Sequence, residues 1–280
     1  MHRCGWFPLL ICALLLGAAG ARAESLPLWE LGGGATALRF PDYRGSEESR
    51  SYVLPVPWIV YRGEILRADR DGVRATLFDS ERVEFDVSIN GSVPVRSDRN
   101  RAREGMEDLR ALLEVGPRAN VRLWRSADHG VAVDLRVPVR VALVFRGGLR
   151  DIGYIMTPHL NLDLRWPAET TGPRWNLGLV GGVVLADRRF NQYFYGVPAA
   201  NATATRPEYR ASSGYGGWQA IAALSRRFDR YWFGGFLKYD DVSSATFEGS
   251  PLVTQRRQFS AGIAVTYIFA TSSRMVVPRD

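Results

Sequence analysis

From Val131 to Phe145 every second residue is bulky and apolar: Val131, Val133, Leu135, Val137, Val139, Val141, Leu143 and Phe145. Between them stand Ala132, Asp134, Arg136, Pro138, Arg140, Ala142 and Val144. Side chains alternate across a strand, so this stretch predicts a ribbon with one greasy face and one partly charged face. Strands in soluble domains usually run about 5–6 residues; a ribbon this long fits a wall between lipid and water. The same period recurs over 28–38, 52–61, 64–68, 73–78, 83–93, 109–124, 152–166, 175–185, 215–228, 231–239 and 258–269. The pattern predicts an all-β, antiparallel up-and-down transmembrane barrel of about twelve strands. Merging the two short segments, 64–68 and 73–78, with their neighbours gives ten.

Connection lengths fit the same architecture. With both ends on the periplasmic side, loops after odd strands face outward and are long, whereas turns after even strands are short. The long connections are 39–51, 94–108, 186–214 and 240–257, after the first, fifth, ninth and eleventh strands. Trp29, Trp58, Trp124, Trp166, Trp175 and Trp232 lie near strand ends, where a membrane interface favours amphipathic rings. The last predicted strand turns Phe259, Ala261, Ile263, Val265, Tyr267 and Phe269 to one side, resembling the C-terminal assembly signal of outer-membrane barrels. A polar tail, 270–280, continues past it, to hang in the periplasm or plug the barrel mouth.

The N-terminus adds a location. His2 and Arg3 precede an apolar run from 6 to 19, and Ala21-Arg22-Ala23 supplies a cleavage site before Glu24. This is the layout of a secretory signal peptide read by the Sec pathway, spanning 1–23 and leaving a barrel over 24–269. Cys4 and Cys12 both fall within it, so the mature chain is expected to lack disulfides, thiolate metal sites and a cysteine nucleophile. Cleavage removes two of the 36 basic residues and none of the 29 acids, taking the formal charge from +7 to +5. The arginines are spread over strands and turns without a basic helix or an aromatic-basic platform, which argues against nucleic acid. Outer-membrane lipid and lipopolysaccharide are the partners such a barrel meets.

The polar faces of the predicted strands carry Glu84, Asp86, Asp134, Arg136, Arg140, Asp163, Arg165 and Lys238. They describe either a conduit for small polar solutes or charges that pair and fill a narrow lumen. The mixed signs favour pairing. Arg188, Arg189, Tyr193, Phe194 and Tyr195 lie in the longest connection, as carbohydrate or partner contacts or as a lid. Residues 102–112 read as a solvated loop with at most one helical turn. His129 sits in a turn, and His159 is followed by Asp163, roughly 13 Å along a strand and too far for a hydrogen-bonded dyad. No catalytic residue, metal site or cofactor is expected.

Several segments, in order, resemble the MipA/OmpV family of outer-membrane proteins. They are Pro41-Asp42-Tyr43-Arg44-Gly45-Ser46, Leu54-Pro55-Val56-Pro57, Phe78-Asp79-Ser80, Leu113-Glu114-Val115-Gly116-Pro117, Tyr193-Phe194-Tyr195-Gly196-Val197, Gly214-Tyr215-Gly216-Gly217 and Ser250-Pro251-Leu252-Val253. Asp240-Asp241-Val242 departs from the family pattern, and the tail is long for it. The resemblance implies an outer-membrane barrel. Its best-described role is a non-enzymatic scaffold joining a lytic transglycosylase to a penicillin-binding protein during peptidoglycan remodelling. Porin-like permeability factors and surface adhesins or antigens are the alternatives it also implies.

Overall fold

The computed structural model describes residues 25–63, 66–69, 72–80, 82–166 and 175–276, with the backbone alone for 66–69 and 72–79. The expected signal peptide, the turn 167–174 and the end of the tail lie outside the described residues. The strands are β1 (Leu26–Pro27), β2 (Trp29–Pro41), β3 (Ser49–Arg62), β4 (Leu66–Asp69), β5 (Gly72–Asp79), β6 (Val83–Ser92), β7 (Leu112–Arg125) and β8 (Val131–Phe145). β9 (Leu149–Met156), β10 (His159–Trp166), β11 (Trp175–Ala186), helix α1 (Arg188–Tyr195), β12 (Gly214–Phe228), β13 (Tyr231–Asp241), β14 (Arg257–Thr271) and β15 (Met275–Val276) follow.

Hydrogen bonding joins β10, β11, β12, β13, β14, β2, β3, β4, β5, β6, β7, β8 and β9 in that order, with second pairings of β8 to β10 and of β11 to β9. All these pairs are antiparallel, and the second pairings bring the two ends of the order together, so the sheet closes on itself. The ribbon predicted from Val131 to Phe145 is β8, with the same bounds.

One expected strand is divided. The stretch 152–166 becomes β9 and β10, interrupted at Thr157-Pro158. Proline has no N–H to give the ladder and breaks strand continuity. The gap is stitched by Thr157 N–H to the Pro138 carbonyl (3.3 Å) and Val183 N–H to the Pro158 carbonyl (3.1 Å). β9 and β10 occupy one position between β8 and β11, so the wall has twelve positions around it although its sheet contains thirteen strands.

The apolar rows face outward. Val53 is 79% exposed, Phe145 68%, Ile263 69% and Phe269 59%. So large an apolar surface is incompatible with water and suits hydrocarbon. Trp124 and Trp166 are likewise exposed, and Trp166 stacks on Trp175. Trp58 and Trp232 depart from expectation: they point into the barrel, packed on each other at 5.3 Å, and Trp58 donates to the fully buried Glu30. Glu30 also accepts from Arg62 (3.0 Å) and Arg227 (2.8 Å), so a buried carboxylate holds these rings inward.

The described part of the tail does not hang free. β15 pairs with β1, Leu26 opposite Val276 and Pro27 opposite Met275. Leu28 N–H donates to the Arg274 carbonyl, and Ser272 N–H to that of Trp29, each within 2.9 Å. The two ends of the barrel chain are thus tied together at one rim.

Candidate functional site

The interior has two unlike walls. From β6 to β10 it is polar. Asp86 is fully buried and accepts from Arg118 Nε (3.0 Å) and Nη2 (2.8 Å) and from Asn120 Nδ2 (2.9 Å). Above it Glu114 accepts from Arg140 Nε (2.9 Å) and Asn90 Nδ2 (3.2 Å), while Arg140 Nη2 reaches Thr157 Oγ1 (3.2 Å). Gly116 lies between Glu114 and Arg118, where a Cβ would stand 2.1 Å from the Val139 carbonyl oxygen. Only glycine permits that close approach. Arg136 bridges Asp134 (3.5 Å) and Asp163 (3.7 Å).

Of the predicted lumen charges, Asp86, Arg140 and the Asp134–Arg136–Asp163 set are thus paired in three neighbouring groups on one wall. Lys238 belongs elsewhere: it reaches Asp240 (3.1 Å), which also receives Arg44 Nε (2.7 Å) beneath the outer loops. Glu84 pairs across the ladder with Asp79 and Asn120, and the Arg165 amide donates to the Gly130 carbonyl. His159 Nδ1 contacts the Thr157 carbonyl (2.7 Å), while Asp163 accepts from Asn161 (2.7 Å).

Glu114, Arg118 and Glu30, central to the buried pairs, were missed by sequence reasoning. A signal existed for two of them. Glu114, Gly116, Arg118 and Asn120 recur every second residue, a polar face written as plainly as that of β8.

Across the lumen, β2, β3, β13 and β14 supply a different lining. Leu38 and Phe40 of β2 lie opposite Tyr52 and Arg50 of β3, and Thr36 and Gly34 opposite Leu54 and Val56. Glu30 and Thr36 are buried on this face, so its alternate neighbours Leu38, Tyr52, Leu54 and Val56 share it. Phe40 stacks on Tyr52 (5.0 Å), and Phe236 and Leu38 both crowd the space over Gly262.

The long loops close over the rim opposite the termini. Tyr43, Val95, Leu109, Tyr195, Val197, Ala211, Val242, Ala245, Phe247 and Leu252 form one apolar core drawn from all four loops. Residues expected in solvated loops are therefore buried, Leu109 among them. The longest loop contains α1, whose start Asp187 marks by accepting from Phe190 N–H (2.8 Å) as an N-cap. That Asp187-Arg188-Arg189 signal was legible but unread. Phe190 drops into the barrel mouth against Leu112, Ala142, Val144, Ile155, Val184 and Ala186.

Of the five predicted loop contacts, the three aromatics serve this lid. Tyr195 stacks on Phe247 (3.6 Å) and donates to the Arg44 carbonyl (2.9 Å). The Tyr193 hydroxyl accepts from Arg110 N–H (2.7 Å), and the Phe194 carbonyl from Arg103 (3.1 Å). Burial pushes the Tyr43, Tyr193 and Tyr195 hydroxyls above their ordinary value and Arg103 below its own. Arg188 and Arg189 stay at the surface on a cleft of about 530 Å³, where Arg189 pairs with Asp151 (2.9 Å).

A closed antiparallel sheet with a lipid-compatible exterior, a paired polar interior and long loops at one rim defines an outer-membrane β-barrel. The family described as "MltA-interacting protein MipA" matches residues 33–269, and the chain belongs to that family. No curated protein matches the chain. Among solved structures, the chain is similar to one titled "Bacterial polysaccharide outer membrane secretin", at 8% identity and a TM-score of 0.43, over 88% of this chain and 100% of that one.

Proposed function

We propose that this barrel is a non-enzymatic scaffold for peptidoglycan-remodelling enzymes, holding a murein hydrolase and a murein synthase at its periplasmic rim. The observation that carries this reading is the filling of the barrel. The acidic and basic groups of the polar wall neutralise one another in pairs, and a loop cap with its own apolar core is seated in the outer mouth. A selective pore concentrates one sign of charge at a constriction and keeps a water path. The family description names an interaction with MltA, which is consistent with a partner-binding role.

The test has two arms. The signal-free protein, refolded into a planar bilayer, is expected to stay silent, and replacing Arg136 or Arg140 by Gln is expected to leave it so. Pull-downs from envelope extracts should recover a murein hydrolase or synthase. Steady ohmic steps that shift in the Arg136→Gln or Arg140→Gln protein, without enzyme recovery, would make it a porin-like channel instead.

A further inference from the structure

Among the described residues the wall is not complete along its whole height. β4 and β5 pair as short antiparallel strands, from Leu66 opposite Ala75 to Asp69 opposite Gly72. Among the described residues, β3 pairs with β4 only at Tyr61 and Arg62, and β6 pairs with β5 only from Glu84 to Asp86. Ser49 to Val60 therefore has no described partner on that side. At about 3.3 Å per residue this is an edge of roughly 40 Å. Two missing strand positions leave an opening on the order of 10 Å, given about 4.8 Å between strands.

The opening has a defined frame. β3 and β6 are its posts and the β4–β5 pair its sill. The short turns Ser97–Arg99 and Arg101–Arg103 make the lintel. They are tied to β3 and its loop by Arg50 to the Arg99 carbonyl (2.6 Å), Asn100 to Asp42 (3.0 Å) and Arg101 to Glu48 (3.1 Å).

The β3 edge is built against strand pairing. Arg62 N–H donates to the Leu28 carbonyl across the line of β2, so even-numbered β3 amides point toward β2 and odd-numbered ones toward the opening. Residues 55 and 57 are prolines, so two donors are missing on the open side and none toward β2. Proline at an exposed edge is a device that blocks addition of another strand. The occupant of this opening is therefore not a β-strand of a partner protein.

What lies behind the edge is apolar. Leu54 faces the lumen yet is 38% exposed, flanked on the same face by Tyr52 and Val56, with Leu38 opposite Tyr52. The outer side of the same frame is the lipid-facing belt, where Val53 (79%), Ile59 (58%) and Ile89 (49%) are exposed. Hydrocarbon outside thus meets an apolar lumen patch across this opening, at an edge where Pro55 and Pro57 remove two of the backbone donors.

We propose that the opening between β3 and β6 is a lateral binding site that admits the acyl chain of a membrane lipid, laid against Tyr52, Leu54 and Val56. β6, where the polar wall begins, forms the far post of the site, and there Asn90 is exposed while its Nδ2 donates to Glu114. This function is separate from the scaffold role, since it uses the wall and not the periplasmic rim.

The test places the full chain in vesicles containing a phospholipid with a diazirine on its acyl chain, and maps photolabelled residues by mass spectrometry. Label on Tyr52, Leu54 and Val56, in addition to the belt residues Val53 and Ile59, is expected. Leu54→Arg should cut the lumen-to-belt ratio about tenfold without altering belt label. Val56→Trp, which narrows the site without adding charge, should lower it several-fold, with folding checked by heat-modifiable gel mobility. Label confined to the belt, or lumen label unchanged in both folded variants, overturns the proposal. Lumen label from a free diazirine fatty acid but not from the phospholipid overturns the lipid as its source. Lumen labelling and enzyme pull-down are read separately, so either role can fail alone.

Discussion

The two walls of the lumen are both built of antiparallel strands, yet they hold their inner side chains by different means. On the polar wall each buried charge is fixed by an opposite charge and by amides: Asp86 has three donor atoms on it, and Glu114 two. On the apolar wall, stacked rings and glycine-relieved crowding position the residues, and Leu54 remains accessible. The difference teaches where rigidity resides. A buried ion pair tolerates no loss of a partner, whereas a half-covered aliphatic side chain loses little when trimmed.

Breaking a polar pair should show the largest effect. Asp86→Ala leaves Arg118 buried without its counter-charge, and urea unfolding in vesicles should register a loss of roughly 3–5 kcal/mol. Replacing both Asp86 and Arg118 by Leu should recover most of it; a double variant no better than the single one would mean that shape, not charge, holds this wall.

Next comes the cap, the third way this molecule orders an interior. Phe247 is 1% exposed and stacked on Tyr195. Phe247→Ala should cost about 3 kcal/mol, read locally. Faster hydrogen exchange at the Val95 and Val197 amides, with the barrel ladder unchanged, would show that the cap opens as a unit.

Leu54→Ala on the apolar wall should cost under about 1 kcal/mol in the same urea assay, because its side chain is already partly uncovered. A cost equal to that of Asp86→Ala would erase the distinction between the walls.

The smallest effect concerns pH. Burial disfavours the Glu48 carboxylate, but hydrogen bonds from the Arg101 side chain and backbone outweigh it and hold this carboxyl below its ordinary 4.5. A depressed acid contributes stability above its unfolded value and loses it as pH falls through the folded one. Proteolysis of loop 93–111 should therefore quicken below about pH 4.5. Glu48→Gln should flatten that acid response while leaving the barrel's unfolding unchanged.

Most of the wall was legible because period-two patterning survives translation into strands: β8 has the bounds its alternation predicts, and from Pro138 to Phe145 burial alternates with it. Where sequence reading erred, a contact distant along the chain had decided the outcome. Trp58 looked like an interface ring until Glu30, 28 residues away, drew it inside. Tyr195 looked like a surface contact until Phe247 covered it. The interruption at Pro158 was written locally and could have been read; its repair by Pro138 and Val183 could not.

The sequence by itself determined the strands, the faces they turn to lipid and lumen, and the family, since alternation and short motifs are local properties of the chain. Which charges neutralise which, how four loops share one core, and where the described strands leave β3 without a partner were decided by tertiary structure alone. Each depends on the register of strands far apart in sequence, and a one-residue slip of register would exchange the two faces of a strand.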